Sequence, residues 1–263
     1  MKKRGWIFVG CSLFLIALFL FIQWNPFLLE QPKIIPPAQT SNILTKLKQV
    51  SDEKGKINYL ILGDSVALGK GAEIGAGYGL YVQEELEREW LHVELDNQGV
   101  SGQTSSELRE MIRKPELEQK IRNADLINIT IGGNDLIKSA LDQGNWLQAL
   151  SEFASIQAQY NENIGAILDH LRSLNDTAPI LMTTLYNPIS TEEIYYPLTE
   201  KLLQKWNTGM RKISSQFPEV TVIEVASLFQ KAKKDWLADE IHPNEYGYRL
   251  IAKQIVEQIR REI

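Results

Sequence analysis

Short apolar stretches rich in β-branched residues alternate with helical stretches from residue 57 to the end of the chain. The apolar stretches predict five strands, at Asn58–Leu62, Val93–Asn97, Leu126–Ile131, Ile180–Thr184 and Val220–Val225. The stretches between and after them predict helices at Gly79–Trp90, Ser105–Arg113, Trp146–Leu174, Leu198–Gln216 and Asn244–Ile263. Strands that alternate with helices form βαβ units, so the pattern predicts an α/β domain over residues 57–263. Its sheet should be mostly parallel and covered by helices on both faces.

The N-terminal segment has a different pattern, because an uncharged apolar run from Trp6 to Ile22 follows the basic cluster Lys2–Arg4. A run of about 17 residues reaches the lower limit for spanning a bilayer. No small-x-small cleavage site follows, so an uncleaved anchor over residues 1–29 is favoured over a cleaved secretory signal. The positive-inside rule keeps Lys2–Arg4 in the cytoplasm. We therefore expect a single-pass cell-membrane protein whose folded domain lies outside the membrane, or a secreted one if the segment is cleaved.

Residues 30–56 contain three prolines and a mixture of Ser, Thr, Asn and Lys. This composition is typical of a linker or stalk, with room for one short helix around Ile43–Val50.

Composition and charge narrow the function classes. Of 263 residues, 44% are hydrophobic and 23% charged, which excludes a wholly disordered chain. The net charge of −5 becomes −8 once Lys2–Arg4 are left out, so binding to nucleic acid is not expected. Cys11 is the single cysteine, which excludes an intrachain disulfide. We expect no metal or other cofactor, and a monomer.

Polar segments follow the predicted strands, where the carboxyl ends of a parallel sheet gather side chains at one rim. They are Gly63-Asp64-Ser65-Val66, Ser101-Gly102-Gln103-Thr104, Gly132-Gly133-Asn134-Asp135 and Asp239-Glu240-Ile241-His242-Pro243. A serine hydroxyl at a strand-to-helix turn, such as Ser65, needs a base to become a nucleophile. Among three histidines, only His242 has an acid three residues earlier in an apparent loop, and Asp239 could fix its tautomer. The sequence thus suggests a Ser65–His242–Asp239 triad.

Acyl transfer also needs donors for the developing oxyanion. The backbone N–H groups of Ser65 and Gly102 and the side-chain amide of Asn134 are the candidates. Each residue also has an ordinary structural alternative: Ser65 and Asn134 could cap helices, and Gly102 could serve turn geometry alone. His92 and His170 are interpreted as ordinary surface residues. Neither a P-loop nor a Gly-x-Ser-x-Gly nucleophile elbow is present.

Together the four segments resemble the four blocks of the SGNH hydrolase superfamily, the GDSL esterases and lipases. Val66 stands where the shorthand GDSL has leucine, a conservative change. The resemblance implies a three-layer α/β/α sandwich around a five-stranded parallel sheet in flavodoxin-like order. It also implies hydrolysis of esters or thioesters through an acyl-serine intermediate.

The substrate is less well defined by the sequence. The aromatic and proline-rich segment after the fourth predicted strand is a candidate pocket wall, with Tyr186, Asn187, Tyr195 and Tyr196 as candidate lining residues. An apolar acyl chain or a stacked sugar would suit it, so a small ester or lipid is the expected substrate. The alternatives are an O-acetylesterase or acyltransferase acting on cell-surface polysaccharide, and a surface binding protein with a decayed enzyme fold.

Overall fold

A computed structural model describes residues 42–72, 77–142, 146–231 and 235–261. Its five strands are β1 (Ile57–Gly63), β2 (Val93–Gly99), β3 (Leu126–Thr130), β4 (Ile180–Thr183) and β5 (Val220–Ile223). All neighbouring pairs are parallel, and the strand order is β2-β1-β3-β4-β5. The predicted α/β fold with a five-stranded parallel sheet is therefore confirmed.

Ten helices are described around this sheet. They are α1 (Ile43–Lys54), α2 (Ser65–Leu68), α3 (Gly77–Glu87), α4 (Ser105–Met111), α5 (Pro115–Asn123), α6 (Gly133–Asp142), α7 (Trp146–Leu174), α8 (Tyr196–Ser214), α9 (Ala226–Lys231) and α10 (Glu245–Arg260). The sequence pattern did not predict α5 as a separate helix. Pro115 is the first residue of α5, a position at which the missing N–H is not needed.

The sheet separates two apolar clusters, and the side chains of β1 show how. Ile57, Tyr59 and Ile61 point into a cluster formed with α1, α3 and α10. Leu60 and Leu62 point into a second cluster on the opposite face, formed with α4, α5, α7 and α8. Alternate residues of a strand face opposite sides, so a central parallel strand must be apolar throughout. The result is a three-layer arrangement with the strand ends open at the carboxyl edge.

Helix α1 lies where the sequence predicts one short helix, around Ile43–Val50, and extends it to Lys54. Asn42 caps the helix, because its side-chain oxygen accepts a hydrogen bond from the Thr45 N–H at 2.9 Å. Ile43 and Leu47 are fully buried against the first apolar cluster. The partly buried Leu44 and Val50 pack against the same cluster, so one apolar face attaches this mostly polar helix to the domain. The folded domain therefore includes residues 43–54.

The predicted membrane anchor at residues 1–29 lies outside the described residues. Within the part of the chain that the structure describes, no helix is both long enough and apolar enough to cross a membrane.

Candidate active site

The local structure at the end of β1 brings Ser65 to the carboxyl edge of the sheet. Gly63 has a φ of +134°, and a Cβ at this position would lie 2.0 Å from the Thr130 carbonyl oxygen. Only glycine fits there, because β3 passes so close. Asp64 then caps α2, accepting a hydrogen bond from the Val66 N–H at 2.8 Å. Ser65 is the first residue of α2 and is buried.

The imidazole of His242 lies between Ser65 and Asp239. Its Nε2 is 2.9 Å from Ser65 Oγ, and its Nδ1 is 2.7 Å from Asp239 Oδ2. A carboxylate only accepts hydrogen bonds, so Nδ1 carries the proton and Nε2 can accept the one from Ser65. The structure thus brings together the three residues that the sequence suggested, although Ser65 and His242 are 177 positions apart in the chain.

Asp239 is held as a carboxylate by its surroundings. Partial burial raises its pKa, but several opposing contacts together outweigh this effect and lower the pKa to about 2. These contacts are hydrogen bonds from the backbone N–H groups of Ile241 and His242, at 2.9 and 2.8 Å, and the bond with the His242 ring. Asp239 is therefore ionised at any pH above about 4 and can stabilise a protonated His242.

The loop that carries Asp239 and His242 is fixed on both sides. The Ala238 N–H donates to the His242 carbonyl at 2.8 Å, and Asn244 caps the following helix, α10. From the segment after β4, the Tyr186 hydroxyl donates to the Ile241 carbonyl at 2.7 Å. The Tyr186 ring packs edge-on against Trp236, so it is a structural support of this loop as well as a predicted pocket residue.

The three candidate oxyanion donors come from separate segments at the carboxyl edge of the sheet: the first turns of α2 and α6 and the loop after β2. Ser65 N–H belongs to the first turn of α2, where backbone N–H groups have no acceptor within the helix. Gly102 adopts a φ of +80° in the loop between β2 and α4. The Asn134 side chain donates to the Gln103 carbonyl at 2.9 Å, which joins its loop to that of Gly102. A side-chain amide has two N–H bonds, so Asn134 keeps a second one for a ligand.

A cavity of about 800 Å³ opens beside Ser65 and His242. Tyr186, Asn187 and Tyr195 line it as the sequence suggested, whereas Tyr196 begins α8 and is not among its lining residues. Its other lining side chains are mostly apolar and include Leu136, Ile137, Phe153, Ile156, Ile189, Ile194, Leu198, Leu202 and Leu203.

The sequence pattern does not reveal the helical part of this wall, which comes from α6, α7 and α8. The only available signal was the apolar face of each helix, and such a face looks the same whether it covers a core or a pocket. The packing of the three helices decides between these alternatives.

His92 and His170 take no part in this arrangement. His92 precedes β2 and therefore lies at the amino edge of the sheet, opposite Ser65. His170 lies in α7, with its Nε2 3.1 Å from Glu118 Oε1. Among the described residues, no group of three His, Cys, Asp or Glu side chains has a metal-binding arrangement.

Comparison with known proteins places this geometry in a family. Residues 61–250 match the GDSL-like Lipase/Acylhydrolase family. The chain is 29% identical over 224 residues to the uncharacterized protein YpmR of Bacillus subtilis (strain 168), an alignment covering 82% of this chain and 87% of that one. It is 27% identical over 209 residues to the spore germination lipase LipC of Bacillus licheniformis, covering 76% of this chain and 94% of that one.

A solved structure gives the same result at the level of the fold. The lipase Lip_vut3 from a goat rumen metagenome superposes with a TM-score of 0.65 at 24% identity, over 77% of this chain and 97% of that one. Since the family match extends from β1 into α10, it includes Ser65, Asn134, Asp239 and His242. The chain belongs to the GDSL-like Lipase/Acylhydrolase family.

Proposed function

We propose that the protein is a serine hydrolase that cleaves carboxylic esters or thioesters of apolar acyl chains. The observation that carries this proposal is the hydrogen-bonded chain Ser65–His242–Asp239 at the wall of a large apolar cavity. Family membership supports esterase-type hydrolysis, and the cavity supports an apolar acyl group.

In the proposed acylation step, Ser65 Oγ attacks the ester carbonyl carbon while its proton passes to His242 Nε2. The carbonyl oxygen becomes an oxyanion, which the Ser65 N–H, the Gly102 N–H and the Asn134 amide stabilise. Asp239 stabilises the imidazolium that forms. As the tetrahedral intermediate collapses, the bond to the leaving oxygen or sulfur breaks, and His242 returns its proton to that atom.

Deacylation repeats the sequence with water. His242 Nε2 takes a proton from a water molecule, whose oxygen attacks the acyl carbon. The same donors hold the second oxyanion. Collapse of this intermediate breaks the bond to Ser65 Oγ, and His242 returns the proton to Ser65, so the free acid leaves and the enzyme is restored.

Cavity size favours a medium or long acyl chain over acetate. Binding sites for small molecules span about 300–1,000 Å³, and this cavity, at about 800 Å³, lies in the upper part of that range. Each methylene transferred from water to an apolar wall contributes about 0.8 kcal/mol. An acetyl group would leave most of this wall without contact, which disfavours the polysaccharide O-acetylesterase alternative.

The location of the activity remains a proposal based on the N-terminal sequence. The basic cluster Lys2–Arg4 and the apolar run Trp6–Ile22 support a membrane-anchored enzyme with its domain outside the cell membrane. A lipid ester would suit such a location.

Hydrolysis of p-nitrophenyl esters from acetyl to palmitoyl by the purified full chain tests the function. We expect the highest kcat/KM at medium or long chains. Ser65→Ala should lower activity by about 10⁴-fold or more, because it removes the nucleophile. Ser173→Ala, which changes an exposed serine on α7, is the matched control and should keep activity. A maximum at acetyl would favour the O-acetylesterase, and full activity of Ser65→Ala would exclude the mechanism.

A further inference from the structure

A buried hydrogen-bond network connects the loop of Gly102 to the loop of Asn134. Ser105, which is completely buried, donates its backbone N–H to Asp135 Oδ2 at 3.0 Å and its hydroxyl to Asp135 Oδ1. Ser105 lies three residues after Gly102, and Asp135 directly follows Asn134. Every bond between Ser105 and Asp135 therefore also restrains the distance between two candidate oxyanion donors.

The network continues away from the site and fixes the direction of each bond. Asn163 on α7 donates its amide to Ser105 Oγ at 3.0 Å, and its carbonyl oxygen accepts from Arg109 at 3.2 Å. The Ser105 hydroxyl thus accepts one bond and must donate the other, which points its proton at Asp135. An ordered chain runs from the Arg109 guanidinium through Asn163 and Ser105 to the Asp135 carboxylate.

A second link connects the same two loops on the side of the cavity. Asn134 donates to the Gln103 carbonyl at 2.9 Å, between Gly102 and Ser105 in sequence. Together with the hydroxyl bond and the shared backbone N–H bond from Ser105 to Asp135, this link holds the two short segments together. Donors that are fixed before the reaction need no reorganisation when the oxyanion forms, and this preorganisation is the source of their effect on rate.

We infer that Ser105 and Asp135, supported by Asn163, are positioning residues that set the geometry of the oxyanion hole. They do not touch the reacting atoms but act through the position of Asn134, which directly precedes Asp135. The inference rests on the proposed function, since it concerns the same site.

Ser105→Ala is the direct test, because it removes the hydroxyl and leaves the backbone bond to Asp135 in place. A displacement of about 1 Å in a catalytic group can cost 10²-fold in rate, so we expect kcat to fall about 10- to 100-fold. KM should stay within about twofold, because the acyl cavity is untouched. Affinity for an alkyl boronic acid, which forms a tetrahedral anionic adduct with an active serine, should fall by the same factor as kcat.

Ser214→Ala is the matched control. Ser214 is equally buried, lies at the end of α8, and its hydroxyl has no hydrogen-bond partner among the described residues. Its replacement should leave kcat and boronate affinity unchanged. Asp135→Asn, which keeps the shape of the side chain, is a second variant in case Ser105→Ala does not fold.

The decisive measurement repeats Ser105→Ala in an Asn134→Ala background. Residues that act through a common partner have non-additive effects. If Ser105 acts through Asn134, most of its effect on kcat should disappear in that background. An undiminished effect there, or a normal kcat in the single variant, would overturn the inference while leaving the hydrolase intact. A wild-type chain inactive on every ester would instead remove the proposed function, and the inference with it.

Discussion

Asp64, directly before Ser65, is a carboxylic acid that folding removes from water. Burial is the main reason that its pKa rises to about 7, and the charge of Asp135 adds to the rise. Hydrogen bonds from the Val66 and Ala67 N–H groups lower the pKa but do not cancel this effect. The folded protein therefore binds a proton more tightly at this position than the unfolded chain, whose pKa is near 3.8. Protonation of Asp64 therefore stabilises the folded protein at low pH, and this stabilisation is lost as the pH rises from about 4 to about 7.

Asp64→Asn should remove that pH dependence. Asparagine caps helices as well as aspartate does, so α2 should keep its start. We expect the variant to be more stable than the wild type at pH 8, by at most about 4 kcal/mol, and similar to it below pH 4. Urea unfolding at pH 4, 6 and 8 measures this difference. The exposed Asp176→Asn serves as control, and an equal pH dependence in both variants would argue against a buried neutral Asp64.

At the scale of elements, α1 shows that the short helix expected around Ile43–Val50 packs onto the folded domain. Its composition is polar and prolines precede it, so its local pattern resembles a stalk. Ile43 and Leu47 are buried in the first apolar cluster, and the partly buried Leu44 and Val50 pack against it. Lys54 also pairs with the buried Asp125 at 2.6 Å, which ties the end of α1 to the start of β3.

Leu47→Ala should destabilise the domain, because Leu47 is fully buried. Replacement of a buried leucine by alanine typically costs about 2–5 kcal/mol. We expect a lower melting temperature and an unchanged kcat at temperatures where the variant is folded, since α1 packs at the amino end of the sheet. Gln49→Ala, on the exposed face of α1, is the control. Equal melting temperatures of Leu47→Ala and the wild type would show that α1 is not part of the stable domain.

At the scale of the whole molecule, three helices and the segment after β4 jointly form the cavity beside Ser65 and His242. Leu136 of α6, Ile156 of α7 and Leu202 of α8 reach it from different directions, and Tyr186 adds the wall that supports the His242 loop. Its volume is a property of their packing and of no single element.

Filling the cavity should shorten the preferred substrate. In Leu202→Trp, the larger ring should occupy space that an acyl chain would use, so we expect the maximum of kcat/KM to shift toward shorter esters. Activity on acetyl and butyryl esters should change little, because Ser65 and His242 are not altered. Lys201→Trp, on the exposed neighbouring position, is the control. An unchanged chain-length profile would mean that the acyl group binds elsewhere.

Much of the fold and of the candidate site could be predicted because the signals are local. The strands β1, β3, β4 and β5 are mostly apolar, as buried parallel strands must be, whereas the edge strand β2 is largely polar. All five were predicted within two residues at each end. Ser65, Gly102, Asn134 and His242 could be singled out because each follows a strand in a short polar segment. The helix Pro115–Asn123 was missed, because the predicted helix Ser105–Arg113 ends just before Pro115 and a proline can either end a helix or begin the next one.

The sequence alone determined the strand-and-helix alternation, the candidate triad and the family, because each depends on residue types at fixed spacing. Tertiary structure decided the rest, since it depends on which surfaces meet. It placed the His242 ring 2.9 Å from Ser65, which lies 177 residues earlier in the chain. It also packed α1 onto the domain and left a cavity of about 800 Å³ between helices whose apolar faces resemble those of core helices. It also joined Ser105 to Asp135, because two loops distant in sequence converge at the same edge of a parallel sheet.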